Sequence, residues 1–185
     1  MPIGALLGAA WLLAGCGGHS HPAASPPTTP TTAATATSQT DLTDRLVATG
    51  INQAQSREFA QAQITFQDVL TIDPTNLYAW YNLGLIAQTE NDPSRAIVDY
   101  QHALKTDPEY TPAMYNEAIA LEPTQRQEAL SLYKQIVAIN PKAATAYLRM
   151  SLLYAQMGDK AEAASARAKA IALEPQLGSV TPPTT

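Results

Sequence analysis

The sequence contains a single cysteine, and that residue lies in a segment without charge. With no second thiol in the chain, Cys16 has no partner for an intrachain disulfide. A catalytic thiolate needs a nearby positive charge or a helix N-terminus to lower its pKa, but residues 1–40 contain no Lys, Arg, Asp or Glu. The sequence therefore excludes an intrachain disulfide and argues against thiol catalysis at Cys16.

The sequence has no long hydrophobic run near its start. The apolar stretch at residues 3–14 is about 12 residues long, too short to span a bilayer of roughly 30 Å but typical of the central region of a signal peptide. It ends in Leu13-Ala14-Gly15-Cys16, which resembles the bacterial lipobox. That resemblance implies a lipoprotein signal peptide at residues 1–15, cleaved before Cys16, and acyl chains such as palmitate that attach Cys16 to the lipid bilayer.

The lipoprotein interpretation implies a location in the bacterial cell envelope, lipid-anchored and extracytoplasmic. The anchor would sit in the cell membrane or, in a diderm cell, in the outer membrane, which Gly17 as the second mature residue leaves open. Residues 1–15 lack the Lys or Arg that a signal peptide normally carries, and the true start could lie upstream of Met1. Two alternatives remain: a stray cysteine after an ordinary signal peptide, and a cytoplasmic adaptor with a misread N-terminus.

Large apolar side chains are absent between Cys16 and residue 40. Residues 16–40 consist mainly of Pro, Thr, Ala, Ser and Gly, so we expect a disordered linker there. His19 and His21 provide two metal ligands on a flexible chain, which is poor geometry, and we predict no metal site.

Catalytic motifs are absent too. We find no nucleophile elbow, phosphate loop or metal-ligand cluster, and we predict neither an enzyme, nor a cofactor, nor a small-molecule substrate. A net charge of −5 argues against nucleic acid as a partner.

What the sequence does contain is a regularly spaced proline. Pro74, Pro108, Pro141 and Pro175 follow one another at intervals of 34, 33 and 34 residues, each after an amphipathic run. Because proline stops a helix, this period predicts stacked copies of one helical unit.

Within residues 77–110, a stripe of side chains at i, i+3, i+4 and i+7 lies on one helix face. The stripe and the positions after it are Trp80, Leu83, Gly84, Ala87, Ala96, Tyr100, Ala103 and Pro108. This pattern resembles the tetratricopeptide repeat. The resemblance implies an all-α fold in which antiparallel helix pairs, each with an A and a B helix, stack as a right-handed superhelix.

The same frame predicts a domain at residues 41–177 and a disordered tail at 178–185. Its four repeats are 43–76, 77–110, 111–143 and 144–177. The first is weak, with Leu46 in place of the tryptophan, and the third lacks one residue near the turn at Leu121. Small residues such as Gly50 and Gly84 recur where helix A must lie close to helix B.

The resemblance also implies that the A helices line a concave face on which an extended peptide or helix binds. The inward positions are Tyr78, Tyr81, Asn82, Leu85, Tyr115, Asn116, Ile119, Leu148, Arg149 and Leu152. Arg149 could bind a carboxylate of the partner or could simply be solvated. The lysines of the family's carboxylate clamp are replaced by Tyr81 and Thr145, so we do not predict that clamp.

We therefore expect a membrane-anchored scaffold for a protein or peptide partner in the cell envelope. The alternative is a structural or assembly subunit of an envelope machine, such as a pilus, secretion or envelope biogenesis complex.

Overall fold

The computed structural model describes residues 32–179, which form eight α-helices and a short 3₁₀ helix, with no β-strand among them. The predicted signal peptide, Cys16 and most of the predicted linker lie outside the described residues, as do residues 180–185. The helices are α1 (Thr32–Gln55), α2 (Phe59–Ile72), α3 (Leu77–Thr89), α4 (Pro93–Thr106), α5 (Thr111–Leu121), α6 (Arg126–Ile139), α7 (Ala144–Met157), α8 (Lys160–Leu173) and the 3₁₀ helix Pro175–Ser179. The predicted all-α class is confirmed.

The helices pack in the order of the chain. The odd-numbered A helices pair with the even-numbered B helices that follow them, and each pair also contacts the next one. These four pairs coincide with the four predicted units. Hydrophobic side chains between successive helices form the buried core of the stack.

The periodic prolines end each B helix in the same way. The residue before each proline is extended, with φ between −127° and −138° and ψ between 91° and 98°, because a proline disfavours helical geometry in the residue that precedes it. Its N–H still donates to the carbonyl four residues back, which closes the last turn. These residues are Asp73, Asp107, Asn140 and Glu174.

The small residues of the A helices face aromatic rings of the B helices. A Cβ atom added to Gly84 would lie 2.5 Å from the ring of Tyr100, and one added to Gly50 would lie 2.7 Å from the ring of Phe66. Both rings are fully buried. The prediction that these glycines allow close helix packing is confirmed.

The third unit is shorter than its neighbours, as predicted. Helix α5 has 11 residues, whereas α3 has 13 and α7 has 14. The turn after it is tight, because the N–H of Gln125 donates to the carbonyl of Leu121 at 2.7 Å.

Both ends of the helical array differ from the sequence expectation. Helix α1 begins at Thr32, so residues 32–40 are helical although the sequence analysis assigned them to the linker. Several alanines in this stretch favour helix, which lets α1 extend beyond its packed part. At the other end, Gly178 and Ser179, assigned to the tail, belong to the 3₁₀ helix. Arg167 Nη2 donates to the carbonyl of Gly178 at 3.1 Å and holds that turn against α8.

Candidate functional site

The A helices form the inner side of the array. Helix α3 contacts both α1 and α5, whereas no two B helices contact each other to that extent in the part of the chain that the structure describes, and neither do α5 and α7. An array whose A helices lie closer together than its B helices curves with the A helices inside. We call the surface of the A helices on this side the concave face.

The predicted groove residues all lie on α3, α5 and α7. Tyr78 is 52% exposed and the others are half-buried, so each contributes to the surface. The aliphatic residues at one position form a row along the face, from Leu85 to Ile119 and Leu152. Ile51 on α1 extends this row into the first unit, where the sequence analysis named no groove residue.

A pocket of about 370 Å³ lies between α1 and α3, and we call it the first-repeat pocket. Its lining combines aliphatic and aromatic side chains with three uncharged polar ones. The lining residues are Ile51, Ala54, Gln55, Phe59, Asn82, Leu85, Ile86 and Thr89. Half of them come from the first unit, whose weak match to the repeat pattern hid them from sequence reasoning.

Tyrosines make the middle of the concave face rigid. The rings of Tyr81 and Tyr110 meet edge to face at 5.3 Å, and Tyr78 meets Tyr110 in the same way at 6.4 Å. Asn116 Nδ2 donates to the hydroxyl of Tyr81 at 3.1 Å, which links α5 to α3. Burial raises the pKa of Tyr81 and outweighs this hydrogen bond, which acts to lower it, so the hydroxyl stays neutral at physiological pH.

A polar cluster occupies the C-terminal part of the face. Arg149 Nη1 lies 3.2 Å from Glu122 Oε2, and the Tyr133 hydroxyl donates to Glu122 Oε1 at 2.8 Å. Burial acts to lower the pKa of Arg149, but its hydrogen bond to Tyr115 and the charge of Glu122 outweigh burial and raise it. Arg149 therefore already pairs with a carboxylate of its own chain, whereas the sequence analysis considered it for a partner's carboxylate or for solvent.

Sequence reasoning missed Glu122, although a signal for it exists. The Tyr100 hydroxyl donates to Gln88 Oε1 at 2.7 Å, and Gln88 occupies the position of Glu122 one unit earlier. A buried hydroxyl needs an acceptor, so a tyrosine on helix B predicts a polar residue at this place on helix A. The first unit is consistent with this rule. It has Phe66, which carries no hydroxyl, on helix B, and Ala54, which offers no side-chain acceptor, on helix A.

The centre of the concave face carries little charge. Helix α3 has no charged residue, α5 has only Glu117 and α7 only Arg149. Glu117 is buried and accepts from Gln101 Nε2 at 2.9 Å, and burial raises its pKa more than this hydrogen bond lowers it. The surface between α1 and α5 is therefore apolar and amide-rich.

Two features are absent from residues 32–179. No group of three His, Cys, Asp or Glu side chains is arranged to hold a metal ion. None of the helices in this range combines the length and the apolar character needed to cross a membrane.

Known structures resemble this fold. A crystal structure of MamA superposes with a TM-score of 0.68 at 22% identity, covering 75% of this chain and 81% of that one. YrrB, described as a TPR protein with an unusual peptide-binding site, gives a TM-score of 0.62 at 23% identity and covers 68% and 66%. PilF of Pseudomonas aeruginosa gives 0.65 at 23% identity and covers 75% and 64%. At these identities the likeness shows the fold alone.

No curated protein sequence matches this chain significantly. Family models of the tetratricopeptide repeat match residues 77–110 and 144–177, which are the second and fourth predicted units. The first and third units have the same paired-helix form in the structure. The described residues are therefore a stack of four helix pairs, two of which match models of the tetratricopeptide repeat.

Proposed function

We propose that this protein is a scaffold that binds a protein or peptide partner on its concave face. The observation that carries the proposal is the tyrosine and amide surface of α3 and α5, in which Tyr81 packs against the ring of Tyr110 and accepts a hydrogen bond from Asn116. Side chains that are already ordered lose little conformational freedom when a ligand binds, so this surface favours association. The peptide-binding site described for YrrB supports the same interpretation.

The proposal is tested by crosslinking capture from envelope fractions with the full chain, followed by mass spectrometry. Replacing both Tyr78 and Asn82 by alanine removes contact area from α3, and we expect at least a tenfold loss of the captured partner. The control is Ile139→Ala on helix B, since Ile139 is also exposed to solvent, at 43%, but lies on α6. Equal capture by both variants would place the binding surface elsewhere.

We further propose that the scaffold is anchored to a membrane outside the cytoplasm through acyl chains on Cys16. The support is the sequence Leu13-Ala14-Gly15-Cys16 at the end of a short apolar run. Two or more acyl chains give stable anchoring where one does not.

Cys16→Ala tests the anchor. We expect this variant to lose palmitate labelling and to appear in the soluble fraction, while circular dichroism stays unchanged because residue 16 lies before α1. Labelling that persists in the variant would refute the lipid anchor, whereas the concave-face proposal would stand.

The alternative, an assembly subunit of an envelope machine, is favoured by apolar side chains outside the concave face. Ile64 on α2 and Val98 on α4 occupy the same position in successive units, and each is 51% exposed. A subunit docked there would co-purify at fixed stoichiometry and would be lost on Ile64→Asp but not on replacing Tyr78 and Asn82.

A further inference from the structure

We propose that the first-repeat pocket holds one bulky, uncharged side chain, aliphatic or aromatic, of a polypeptide bound on the concave face. The inference rests on the proposed function and adds to it a location and a side-chain preference. The volume of the pocket, about 370 Å³, is at the low end of the roughly 300–1,000 Å³ typical of ligand sites. A space of that size suits one or two side chains better than a large ligand.

The polarity of the lining sets the kind of side chain. Ile51, Phe59 and Leu85 offer apolar surface from α1, α2 and α3, and none of the lining side chains is charged. A charge buried among them would lose its hydration without gaining a counter-charge. Arg57 and Glu58, which precede Phe59, are of opposite sign and exposed to solvent. The pocket therefore discriminates against acidic and basic side chains.

The hydrogen-bonding groups of α3 indicate a polypeptide rather than a lipid chain. Asn82 Nδ2 donates to the carbonyl of Tyr78 at 2.7 Å, and Thr89 Oγ1 donates to the carbonyl of Leu85 at 2.9 Å. Each side chain thus donates a hydrogen bond within α3 and keeps oxygen lone pairs that can accept one from a ligand. The backbone N–H groups of a bound peptide supply such donors, and an acyl chain has none.

The pocket owes its space to the small residue at position 54. In the second unit the same place is occupied by Gln88, and in the third by Glu122, and each of these accepts from a buried tyrosine hydroxyl. The first unit has Phe66 instead of tyrosine, so no acceptor is needed and Ala54 leaves the space open. The pocket is thus a consequence of the least typical repeat.

The test is a titration of the isotope-labelled full chain, followed by amide chemical shifts, with capped peptides of the form acetyl-Ser-Ala-X-Ala-Ser-amide. With Leu or Phe at X, we expect shifts at Ile51, Leu85 and Thr89 and an apparent Kd at least tenfold lower than with Glu or Lys at X. Equal Kd values for all four peptides, or shifts confined to α5 and α7, would overturn the proposal. So would octanoate binding at these residues as tightly as the Leu peptide.

Variants at position 54 test the pocket directly. Ala54→Leu fills it, and we expect at least a tenfold rise in the Kd of the Leu peptide. Ala155→Leu makes the same change at the equivalent position of α7, and we expect less than a twofold effect. If Ala54→Leu does not fold, Leu85→Ala replaces it, with Ile139→Ala on α6 as its control. Unchanged binding by the folded pocket variant would contradict the proposal.

Three further outcomes distinguish this inference from the proposed function. If Ala54→Leu shifts amides of residues 1–31 without any peptide, the chain's own N-terminal segment occupies the pocket and the proposal is wrong. If replacing Tyr78 and Asn82 abolishes partner capture but the peptide series shows no preference at X, this inference fails and the proposed function survives. If neither experiment shows an effect, both fail.

Discussion

The first and third units use the same helix position in opposite ways. At the N-terminal end, Ala54 leaves an apolar pocket that is open to a ligand. In the third unit the equivalent Glu122 bonds both Tyr133 and Arg149, so its polar groups are already engaged. The repeats thus share one packing scheme, and a single side chain on helix A decides whether the space is open or filled. We therefore expect the pocket to select among the side chains of a bound polypeptide and the side chains of the polar cluster to stay fixed.

The largest effect is expected from breaking the polar cluster with Glu122→Ala. This change leaves the Tyr133 hydroxyl without its acceptor and Arg149 without its carboxylate. We expect a loss of about 3 kcal/mol in the free energy of unfolding, at the low end for a broken ion pair because both side chains are partly exposed. Urea denaturation measures this loss.

Two controls sharpen that prediction. Glu122→Gln keeps an acceptor for Tyr133 and should lose clearly less stability than Glu122→Ala. Glu128→Ala removes an exposed acid from α6 and should change stability by no more than about 0.5 kcal/mol. A loss from Glu122→Ala no larger than that from Glu128→Ala would show that the cluster contributes little.

A smaller effect is expected from introducing into the first unit the tyrosine hydroxyl that the second and third units carry on helix B. Phe66→Tyr places a hydroxyl opposite Ala54, which offers no side-chain acceptor, and we expect a cost of about 2 kcal/mol. Adding Ala54→Gln recreates the pair seen between Gln88 and Tyr100 and should recover about 1 kcal/mol. A double-mutant cycle by thermal unfolding measures the coupling.

The same double variant also tests the comparison between the first and third units. Because the glutamine introduced by Ala54→Gln would occupy the first-repeat pocket, the variant should gain stability relative to Phe66→Tyr and lose affinity for the Leu peptide. Recovery of stability without loss of peptide binding would show that the side chain at position 54 does not control the pocket.

The smallest effect concerns pH. Asp99 occupies in the second unit the place that Thr65 occupies in the first, where Thr65 donates to Gln53 Oε1 at 2.8 Å. Asp99 Oδ2 is buried and accepts no hydrogen bond, and Arg95 Nε lies 3.8 Å away. Burial raises the pKa of Asp99 to about 6, against the lowering effect of Arg95 and with a further increase from Asp92.

Because this folded-state pKa is raised, the native state binds the proton more tightly than the unfolded chain does. The stability that Asp99 contributes is present below about pH 4 and is lost as the pH rises through about 6. Allowing for solvent screening, we expect a decrease of about 1 kcal/mol over this window. Asp99→Asn should flatten this part of the pH profile of urea denaturation, and an unchanged slope would contradict the assignment.

Much of the fold was predictable because its determinants are local. The proline period predicted where the B helices end, since the residue before a proline adopts the same extended geometry in every unit. Gly50 and Gly84 predicted close helix packing, and the interval of 33 residues predicted a one-residue deletion near the turn after α5. The groove residues of α3, α5 and α7 came from the family resemblance and stay a prediction.

The site was less predictable because the side chains that interact in it lie on different helices. Arg149 and Glu122 are 27 residues apart, and no local pattern pairs them. Ile51, Ala54 and Phe59 were missed because the first unit matches the repeat poorly, and they form a pocket only when α1, α2 and α3 pack together. The helical state of residues 32–40 was missed because their composition is that of a linker.

By itself, the sequence determined the repeat and its helix ends, since periodic side chains and prolines act on the helix that carries them. The tertiary structure decided which side chains of the A helices pair within the chain and which leave open space. Stacking the A helices brings together polar groups that are distant in the chain. Where they satisfy one another, as Glu122, Tyr133 and Arg149 do, the surface is closed. Where Ala54 leaves space, it stays open.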